Sequence, residues 1–152
     1  MIIRPTTVND IQTLQQFIAE LFVDNQQYDT DLKMYWPKSP QSKEYFSKVV
    51  NNKDSICLLA EEENKAVGYI CATPKEFDHR LKKYIEIENM EVTPNFRSQG
   101  IGEKLVNECL RIAKEKGFDK VYVCSYSDNS KAISFYEKIA FKKVDVGLER
   151  DL

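Results

Sequence analysis

The spacing of apolar residues along the first half of the chain predicts two helices. After Asn9 and Asp10, both good helix caps, apolar side chains recur every three or four residues, so a helix with one buried face is expected. Its apolar positions are Ile11, Leu14, Phe17, Ile18, Leu21 and Phe22. A shorter helical pattern occupies residues 41–50, and a polar and aromatic segment, 24–40, joins the two helices.

Three β-prone runs follow the second helix. The first two, "SICLLAEEE" and "AVGYICATP", are separated by charged residues and predict an antiparallel hairpin, although no Asn-Gly turn marks it. The third, "KYIEIENMEV", alternates apolar and charged residues until its phase slips near Glu88 and Asn89. Such a slip predicts a bulge at which the strand splays from a neighbour.

The last third of the chain alternates helix and strand. Residues 95–116 predict a turn followed by a helix, which Gly117 ends with a left-handed cap. "FDKVYVCSYS" then predicts a strand, "NSKAISFYEKIA" a capped helix, and "FKKVDVGLERDL" one or two closing strands. This order of elements indicates a protein of the α/β (α+β) class, with a mixed sheet and helices on both of its faces.

Length and charge narrow the class of protein further. A chain of 152 residues suits one domain, 1–152, with a sizeable core. With 22 basic and 24 acidic residues, it lacks the basic excess that nucleic-acid binding requires, so no nucleic-acid partner is expected. It also lacks an apolar run of about 18 residues and a secretory signal, so we expect a cytoplasmic protein without a membrane partner.

The cysteines and the single histidine predict no metal site. Four cysteines lack close-paired spacing, and His79 alone cannot complete a zinc cluster. The apolar surroundings of Cys57, Cys71, Cys109 and Cys124 favour buried thiols over disulfide or redox roles.

Two glycines, Gly100 and Gly102, stand just before the third predicted helix. The first backbone N–H groups of a helix have no intrahelical partner, and glycine lets an anion approach them closely. Leu105 occupies the place of the third glycine of a dinucleotide fingerprint, and no G-x-x-x-x-G-K-[ST] loop is present. From this motif alone, an ordinary turn and helix start is the better interpretation.

Two motifs in order nevertheless resemble one enzyme family. "RSQGIG", from Arg97 to Gly102, has the form Arg/Gln-x-x-Gly-x-Gly/Ala and is similar to the acetyl-CoA motif of the Gcn5-related N-acetyltransferase family. "DNSKAISFYEKIAF" looks like the family's second signature. The resemblance covers essentially the whole chain and implies a GNAT-like, mostly antiparallel sheet of six to seven strands with a splayed central strand. Ala140 departs from the family's usual glycine, which would introduce strain if a positive φ is required there.

The resemblance implies which residues hold acetyl-CoA, the co-substrate. Backbone groups of Met90 and Val92 would pair with the pantetheine arm like an added strand. Arg97 would either add a charge near the phosphates or be solvated, and Asn129 would contact the cofactor arm or only cap its helix. The amides that would hold the pyrophosphate are those of Ser98, Gln99, Gly100, Ile101, Gly102 and Glu103.

The resemblance also implies direct transfer of an acetyl group to an amine. Tyr136 is the expected general acid, since a tyrosine with a pKa near 10 keeps its proton at neutral pH and can give it to the leaving sulfur; a core aromatic role is the alternative. The amine must lose a proton before it attacks. Glu88, at the slip in the strand pattern, is the candidate base; the alternatives are Glu86, Glu91, or a strand face whose carboxylates are only solvated.

The acceptor amine is the least constrained part of the prediction. The segment between the first two helices could receive a cationic amine through charge and ring faces, or it could be a solvated acidic loop. Its relevant residues are Asp24, Tyr28, Asp29, Asp31, Tyr35 and Trp36. We expect a small-molecule primary amine such as a polyamine, aminosugar or amino-acid-like compound, with a peptide N-terminus or lysine as the alternative.

A different class of protein also fits the same motifs. A non-catalytic acyl-CoA-binding sensor would use the same amides but would not need Tyr136. The family resemblance further makes a homodimer, formed through sheet edges or the final strands, an expectation.

Overall fold

The computed structural model describes residues 1–152 and contains five strands and four α-helices. The strands are Ile2–Pro5 (β1), Ile56–Glu62 (β2), Lys65–Lys75 (β3), Tyr84–Val92 (β4) and Lys120–Val123 (β5). The helices are Ile11–Asn25 (α1), Pro40–Asn51 (α2), Ile101–Glu115 (α3) and Ser130–Lys138 (α4). None of these helices is long and apolar enough to cross a membrane.

The strands form one mixed sheet in the order β1-β2-β3-β4-β5. The first four pair antiparallel, and β5 runs parallel to β4. The predicted hairpin of β2 and β3 is confirmed. Its turn residues, Glu63 and Asn64, have φ values of 49° and 64°, as a type I′ turn requires at both central positions, so the hairpin closes without the usual glycine.

Two apolar clusters cover the two faces of the sheet. Helix α3 packs on one face with α4 residues beside it, and α1 and α2 pack on the other. In β2, Ile56 and Leu58 belong to the cluster beneath α3, whereas Cys57 and Leu59 belong to the opposite cluster, as the alternation of side chains along a strand requires. The predicted arrangement of helices on both faces is therefore confirmed.

Strand β4 carries the predicted bulge at Glu88. On the β3 side, Cys71 pairs with Asn89 and Ala72 pairs with Ile87, so Glu88 is the extra residue. On the other side, β4 pairs with β5 only from Tyr84 to Ile87. Because β4 continues to Val92 while β5 ends at Val123, a gap opens between the second half of β4 and the chain that leaves β5.

The predicted closing strands are absent, so the sheet has five strands instead of six or seven. Residues 142–152, here called the C-terminal tail, adopt no helix or strand, are exposed and make no backbone–backbone hydrogen bond. The tail has the alternating pattern of a strand. A pattern becomes a strand only when a neighbouring strand supplies hydrogen-bond partners, and the tail pairs with no strand of this chain.

Ala140 adopts a positive φ of 71° in the turn that follows α4. A residue with a Cβ pays roughly 1–2 kcal/mol for the left-handed conformation, so the departure from glycine at this position does place strain in the turn. The turn nevertheless closes, because Phe141 donates its backbone N–H to the carbonyl of Tyr136 at 3.0 Å.

The cysteines differ from the expected set of buried free thiols. Cys57 and Cys71 face each other on β2 and β3, with their Cα atoms 4.3 Å apart, and are joined as a disulfide. Cys124 follows β5 and is exposed. Only Cys109 is a buried free thiol, and burial raises its pKa to about 12. The sequence alone does not predict that Cys57 and Cys71 are paired, because only the register of the β2–β3 hairpin places them opposite each other.

Candidate active site

The turn between β4 and α3 presents six consecutive backbone amides that donate to no protein acceptor. They belong to Ser98, Gln99, Gly100, Ile101, Gly102 and Glu103. Ser98 and Gly100 have φ values of 61° and 80°, and no side chain caps the start of α3. Successive N–H groups in such a turn at a helix N-terminus form a concave site that attracts anions.

Gly102 lies where three elements meet. A Cβ placed on this residue would be 3.4 Å from the ring of Phe135 on α4 and 3.9 Å from the Cε of Met90 on β4. The first turn of α3, the end of β4 and the face of α4 are therefore in contact around one glycine. This convergence brings the amide-rich turn, hereafter the amide cradle (residues 98–103), next to the gap between β4 and β5.

The backbone of β4 turns two predicted cofactor contacts away from β3. Thr93 donates its N–H to the carbonyl of Val67 on β3 at 2.9 Å. Successive strand residues direct their backbone groups to opposite sides, so the N–H and C=O groups of Val92 and Met90 point away from β3. Val92 already has protein partners, however. Its carbonyl accepts from the Nε of Arg97 at 2.8 Å, and its N–H donates to the Glu91 carboxylate at 3.0 Å.

The guanidinium of Arg97 is held by two carboxylates. Its Nη2 donates to the Oε1 of Glu91 at 2.7 Å and to the Oδ2 of Asp24 at 2.6 Å. Glu91 is only 6% exposed, and this burial raises its pKa although Arg97 opposes the change. Because Asp24 lies in the last turn of α1, Arg97 ties α1 to the end of β4. Its charge is compensated within the protein, and a contact with phosphates stays a prediction.

The carboxylate of Glu88 is held by two hydroxyl groups. Tyr45 on α2 donates to its Oε2, and Thr73 on β3 donates to its Oε1 at 2.6 Å. The Nδ2 of Asn89 donates in turn to the Tyr45 hydroxyl at 2.9 Å. Burial, and then the hydrogen bond to Glu88, raise the pKa of Tyr45, so this hydroxyl is a donor throughout the neutral range.

The two alternative bases are both engaged by cations. Glu86 forms an ion pair with Lys75 at 3.4 Å, and Glu91 forms one with Arg97 at 2.7 Å. Glu88 has only neutral hydroxyl donors and is exposed at the bulge. Of the three carboxylates considered as a base, it is the one that faces solvent without a cationic partner.

Tyr136 has a packed ring and a hydroxyl without a protein partner. Its ring meets Phe135 and Phe141 edge-on, with centroid distances of 5.0 and 5.3 Å. No hydrogen bond of the protein engages the hydroxyl. Burial, and to a smaller degree the Cys109 thiol, raise the pKa of Tyr136 to about 12. The hydroxyl is consequently protonated and free to donate to a bound molecule.

Asn129 begins α4 as a cap. Its Oδ1 accepts from the N–H of Ala132 at 3.1 Å, which is the capping role that sequence reasoning kept as an alternative. The Nδ2 of the same side chain has no protein acceptor and stays available for a ligand.

The last turn of α1 and the segment that joins α1 to α2 reach both borders of the gap. Asp24 contacts Arg97 beyond β4, while Asp29 accepts from the hydroxyl of Tyr126, beyond β5, at 2.8 Å. The ring of Tyr28 stacks on that of Tyr126 with a centroid distance of 5.8 Å. Sequence reasoning missed these contacts and the one between Tyr45 and Glu88. The only signal in the sequence was the hydroxyl of Tyr45, a polar group on the otherwise apolar face of α2.

The sheet of this chain splays at the bulge of β4, beside a helix start that is lined with free backbone amides. The chain belongs to the acetyltransferase (GNAT) family, which it matches over residues 16–141. This family generally uses acetyl-CoA as its co-substrate.

The chain is similar to three further proteins in sequence or in fold. An uncharacterized N-acetyltransferase of Methanocaldococcus jannaschii is 28% identical over 145 residues, which cover 95% of this chain and 62% of that relative, so the chain spans less than two thirds of its length. A mutant of the BH1408 protein from Bacillus halodurans shares the fold, with a TM-score of 0.88, 20% identity, and coverage of 100% of this chain and 99% of that one. An aminoglycoside acetyltransferase from an uncultured soil metagenomic sample, solved with sisomicin, has a TM-score of 0.74, 25% identity, and coverage of 99% and 95%.

Proposed function

We propose that the protein transfers the acetyl group of acetyl-CoA to a primary amine of a small molecule. The observation that carries this proposal is the amide cradle, six N–H groups without protein acceptors at the start of α3. A favourable negative charge at a helix start gains about 0.3–1 kcal/mol when exposed and up to ~2 kcal/mol when partly buried. A diphosphate that engages several of these amides together is therefore a suitable ligand.

The residues around the gap fit the rest of the cofactor. Acetyl-CoA supplies the thioester, and Met90 offers the outward backbone edge of β4 to its pantetheine arm. Val92 can join this pairing only if Arg97 and Glu91 release its backbone groups. The unpartnered Nδ2 of Asn129 is available to the same arm.

The chemistry proposed for this site moves two protons. Glu88 accepts a proton from the incoming amine, directly or through water, because an ammonium with a pKa near 10.4 has no lone pair for attack. Tyr136 donates a proton to the departing sulfur. Alignment of the reacting groups can supply ~7–11 kcal/mol in favourable cases, so the reaction does not depend on a strong base.

Contacts on the far side of the gap support a small cationic acceptor. The α1–α2 segment brings the carboxylate of Asp29 and the rings of Tyr28 and Tyr126 together beside the exit of β5. Carboxylates and ring faces both attract ammonium groups. A polyamine or an aminosugar is the class we favour, and the likeness to an aminoglycoside acetyltransferase solved with sisomicin points the same way.

A panel of amines tests this proposal. Purified protein with acetyl-CoA is assayed for thiol release with polyamines, aminosugars, amino acids, and peptides that carry a free N-terminus or lysine. We expect thermal stabilisation by acetyl-CoA and thiol release that depends on a small amine. Release with peptides alone would reassign the acceptor to proteins. Saturable binding without release for any amine would overturn transfer in favour of an acyl-CoA sensor.

Tyr45 is expected to position the proposed base. In Tyr45→Phe, the carboxylate of Glu88 loses one of its two hydroxyl donors. A hydrogen bond to a charged group contributes about 1.5–3 kcal/mol, and ~1.4 kcal/mol corresponds to a decade in rate, so we expect kcat to fall about 10- to 100-fold. Steady-state kinetics would check this, with the affinity for acetyl-CoA unchanged because Tyr45 lies on α2, apart from the amide cradle.

The matched control is Tyr35→Phe. Tyr35 is 70% exposed and its hydroxyl makes no hydrogen bond in the protein. Phenylalanine keeps the ring face that a cationic amine could contact, so loss of the hydroxyl alone should leave kcat and KM unchanged. If Tyr45→Phe were as active as the wild type, a positioning role for Tyr45 would be excluded. An equal loss of kcat in Tyr45→Phe and Tyr35→Phe would show that removal of either tyrosine hydroxyl has the same general effect.

A further inference from the structure

The disulfide between Cys57 and Cys71 joins β2 and β3 at a position where their backbones make no hydrogen bond to each other. The carbonyl of Cys57 accepts from the N–H and the hydroxyl of Thr6, at 2.9 and 3.1 Å, so its backbone groups face the β1 side of the sheet. The two cysteines are thus a non-hydrogen-bonded pair of the β2–β3 ladder. At this pair the covalent bond alone links the two strands.

Cys71 connects the disulfide to the bulge of β4. Because its backbone groups do not face β2, they face β4, where Asn89 is its partner. The register of β3 and β4 shifts directly after Cys71, which leaves Glu88 as the extra residue before Asn89. A displacement of Cys71 therefore acts on the residue that follows the proposed base.

Both hydroxyl donors of Glu88 depend on this part of the sheet. Tyr45 accepts a hydrogen bond from the Nδ2 of Asn89 at 2.9 Å and donates to the carboxylate. Thr73 follows Cys71 by two residues on β3, so it lies on the same face, and it donates to the other carboxylate oxygen at 2.6 Å. Cys71 is consequently linked to both groups that orient Glu88.

Close packing makes the region sensitive to the state of the two sulfurs. Cys71 is fully buried and Cys57 is 8% exposed, in the cluster that also contains Phe17, Phe46 and Tyr69. Two thiols need more room than two bonded sulfurs, because non-bonded atoms cannot approach as closely as bonded ones. In a close-packed interior the neighbours must shift to provide that room. Reduction should therefore displace Cys71 relative to Cys57, with no β2–β3 backbone hydrogen bond to oppose the movement at this pair.

We propose that Cys57 and Cys71 form a redox switch that sets the orientation of the Glu88 carboxylate. The disulfide holds Cys71 where Asn89 and Thr73 support the carboxylate, and reduction to two thiols weakens that support. The effect on turnover rests on the proposed acetyl transfer, in which Glu88 takes the proton of the amine. The movement at the bulge does not depend on that function.

The switch operates by thiol–disulfide exchange with small thiols and disulfides. Cys57 is the more exposed partner, so an external thiolate attacks its sulfur, and the sulfur of Cys71 leaves as a thiolate that takes up a proton. A second external thiolate then displaces Cys57 from the mixed disulfide. The protein gains two electrons and two protons, and two external thiols become one external disulfide. An external disulfide reverses these steps and takes the two electrons back.

Peptide mapping and NMR test the switch without any enzyme activity. After alkylation, mass spectrometry should show Cys57 and Cys71 linked in protein treated with oxidised glutathione, alkylated after dithiothreitol, and linked again on reoxidation. In ¹H–¹⁵N spectra, the amide signals of Glu88 and Asn89 should differ between the two forms. The signals of Gly102, in the amide cradle, should not.

Kinetics test the effect on turnover. The acetylated amine is quantified by mass spectrometry, because a reductant would interfere with an assay of thiol release. We expect the reduced protein to have a kcat about tenfold below that of the oxidised protein, as for loss of one hydrogen bond to a charged group, and an unchanged KM for acetyl-CoA. In Tyr45→Phe this ratio should be smaller, because one of the two links to Glu88 is already removed. An unchanged ratio would show that the response bypasses Glu88.

Two variants control for the other effects of a reductant. The double variant Cys57→Ala/Cys71→Ala lacks the bond and should have the low kcat of the reduced protein under both conditions. Cys124→Ser should respond like the wild type, because Cys124 is exposed and lies outside the pair. If the double variant does not fold, the reduced wild type supplies the same comparison without a substitution.

Any one of four results would overturn the switch. Cys57 and Cys71 could stay unlinked after every oxidising treatment, or the amide signals of Glu88 and Asn89 could be the same in both forms. The oxidised and reduced proteins could have equal kcat, or Cys124→Ser could abolish the response. A protein that acetylates no amine would instead remove the proposed function, and the amide signals would then decide for or against the switch.

Discussion

Replacement of Tyr136 by phenylalanine is expected to lower kcat by about 10²–10⁴-fold, the usual contribution of a positioned general acid. The hydroxyl makes no hydrogen bond within the protein, and the ring packs edge-on against Phe135 and Phe141. Phenylalanine keeps that packing and removes only the proton donor. Affinity for acetyl-CoA and the melting temperature should therefore stay close to those of the wild type, as calorimetry and thermal unfolding would measure.

The raised pKa of Tyr136 adds a pH signature. Burial raises the pKa to about 12 from an ordinary value near 10, and a phenol holds its proton below its pKa and loses it above. At about pH 10 an unperturbed tyrosine is half ionised, whereas Tyr136 should still hold its proton. We therefore expect no fall in the kcat/KM of the wild type near pH 10 from ionisation of Tyr136.

Two outcomes would contradict the role of Tyr136. Equal turnover by Tyr136→Phe would remove the general acid from the mechanism. A matching loss of acetyl-CoA affinity would instead mark Tyr136 as a residue that shapes the binding site. The exposed Tyr35→Phe variant again controls for the removal of a hydroxyl that the protein does not use.

Local patterns predict most of the fold. The apolar periodicity gave the helices, and the slip in alternation at Glu88 correctly indicated a bulge and a splayed strand. The same reasoning failed for the C-terminal tail and for the paired Cys57 and Cys71. Both failures concern pairing: alternation shows that a segment can be a strand, but only the register of distant segments decides what lies opposite it.

The candidate site divides in the same way. The glycines and the capping asparagine lie in short motifs, so the sequence alone locates them. Other contacts of the site join residues that are far apart in the chain. Tyr45 donates a hydrogen bond to Glu88, and Arg97 donates one to Asp24. No local signal marks such contacts, because they arise only when helices dock on the sheet.

Replacement of Gly100 by valine is expected to weaken acetyl-CoA binding by about 10- to 100-fold. Gly100 has a φ of 80°, a conformation that is a genuine outlier for a β-branched residue. The turn can relieve that strain only by reorienting its amides. Loss of one amide hydrogen bond to the charged diphosphate, at about 1.5–3 kcal/mol, corresponds to one or two decades in Kd.

Gly117→Val provides the control, because Gly117 has a similar positive φ but lies away from the amide cradle. It has a φ of 85°, and a Cβ on either glycine would meet no atom within 4 Å, so valine imposes the same backbone penalty of roughly 1–2 kcal/mol at both positions. Gly117 lies beyond the opposite end of α3. Both variants should lose similar thermal stability, and only Gly100→Val should lose affinity in a calorimetric titration with coenzyme A. Unchanged affinity in Gly100→Val, or an equal loss in Gly117→Val, would mean that the cradle amides do not hold the diphosphate.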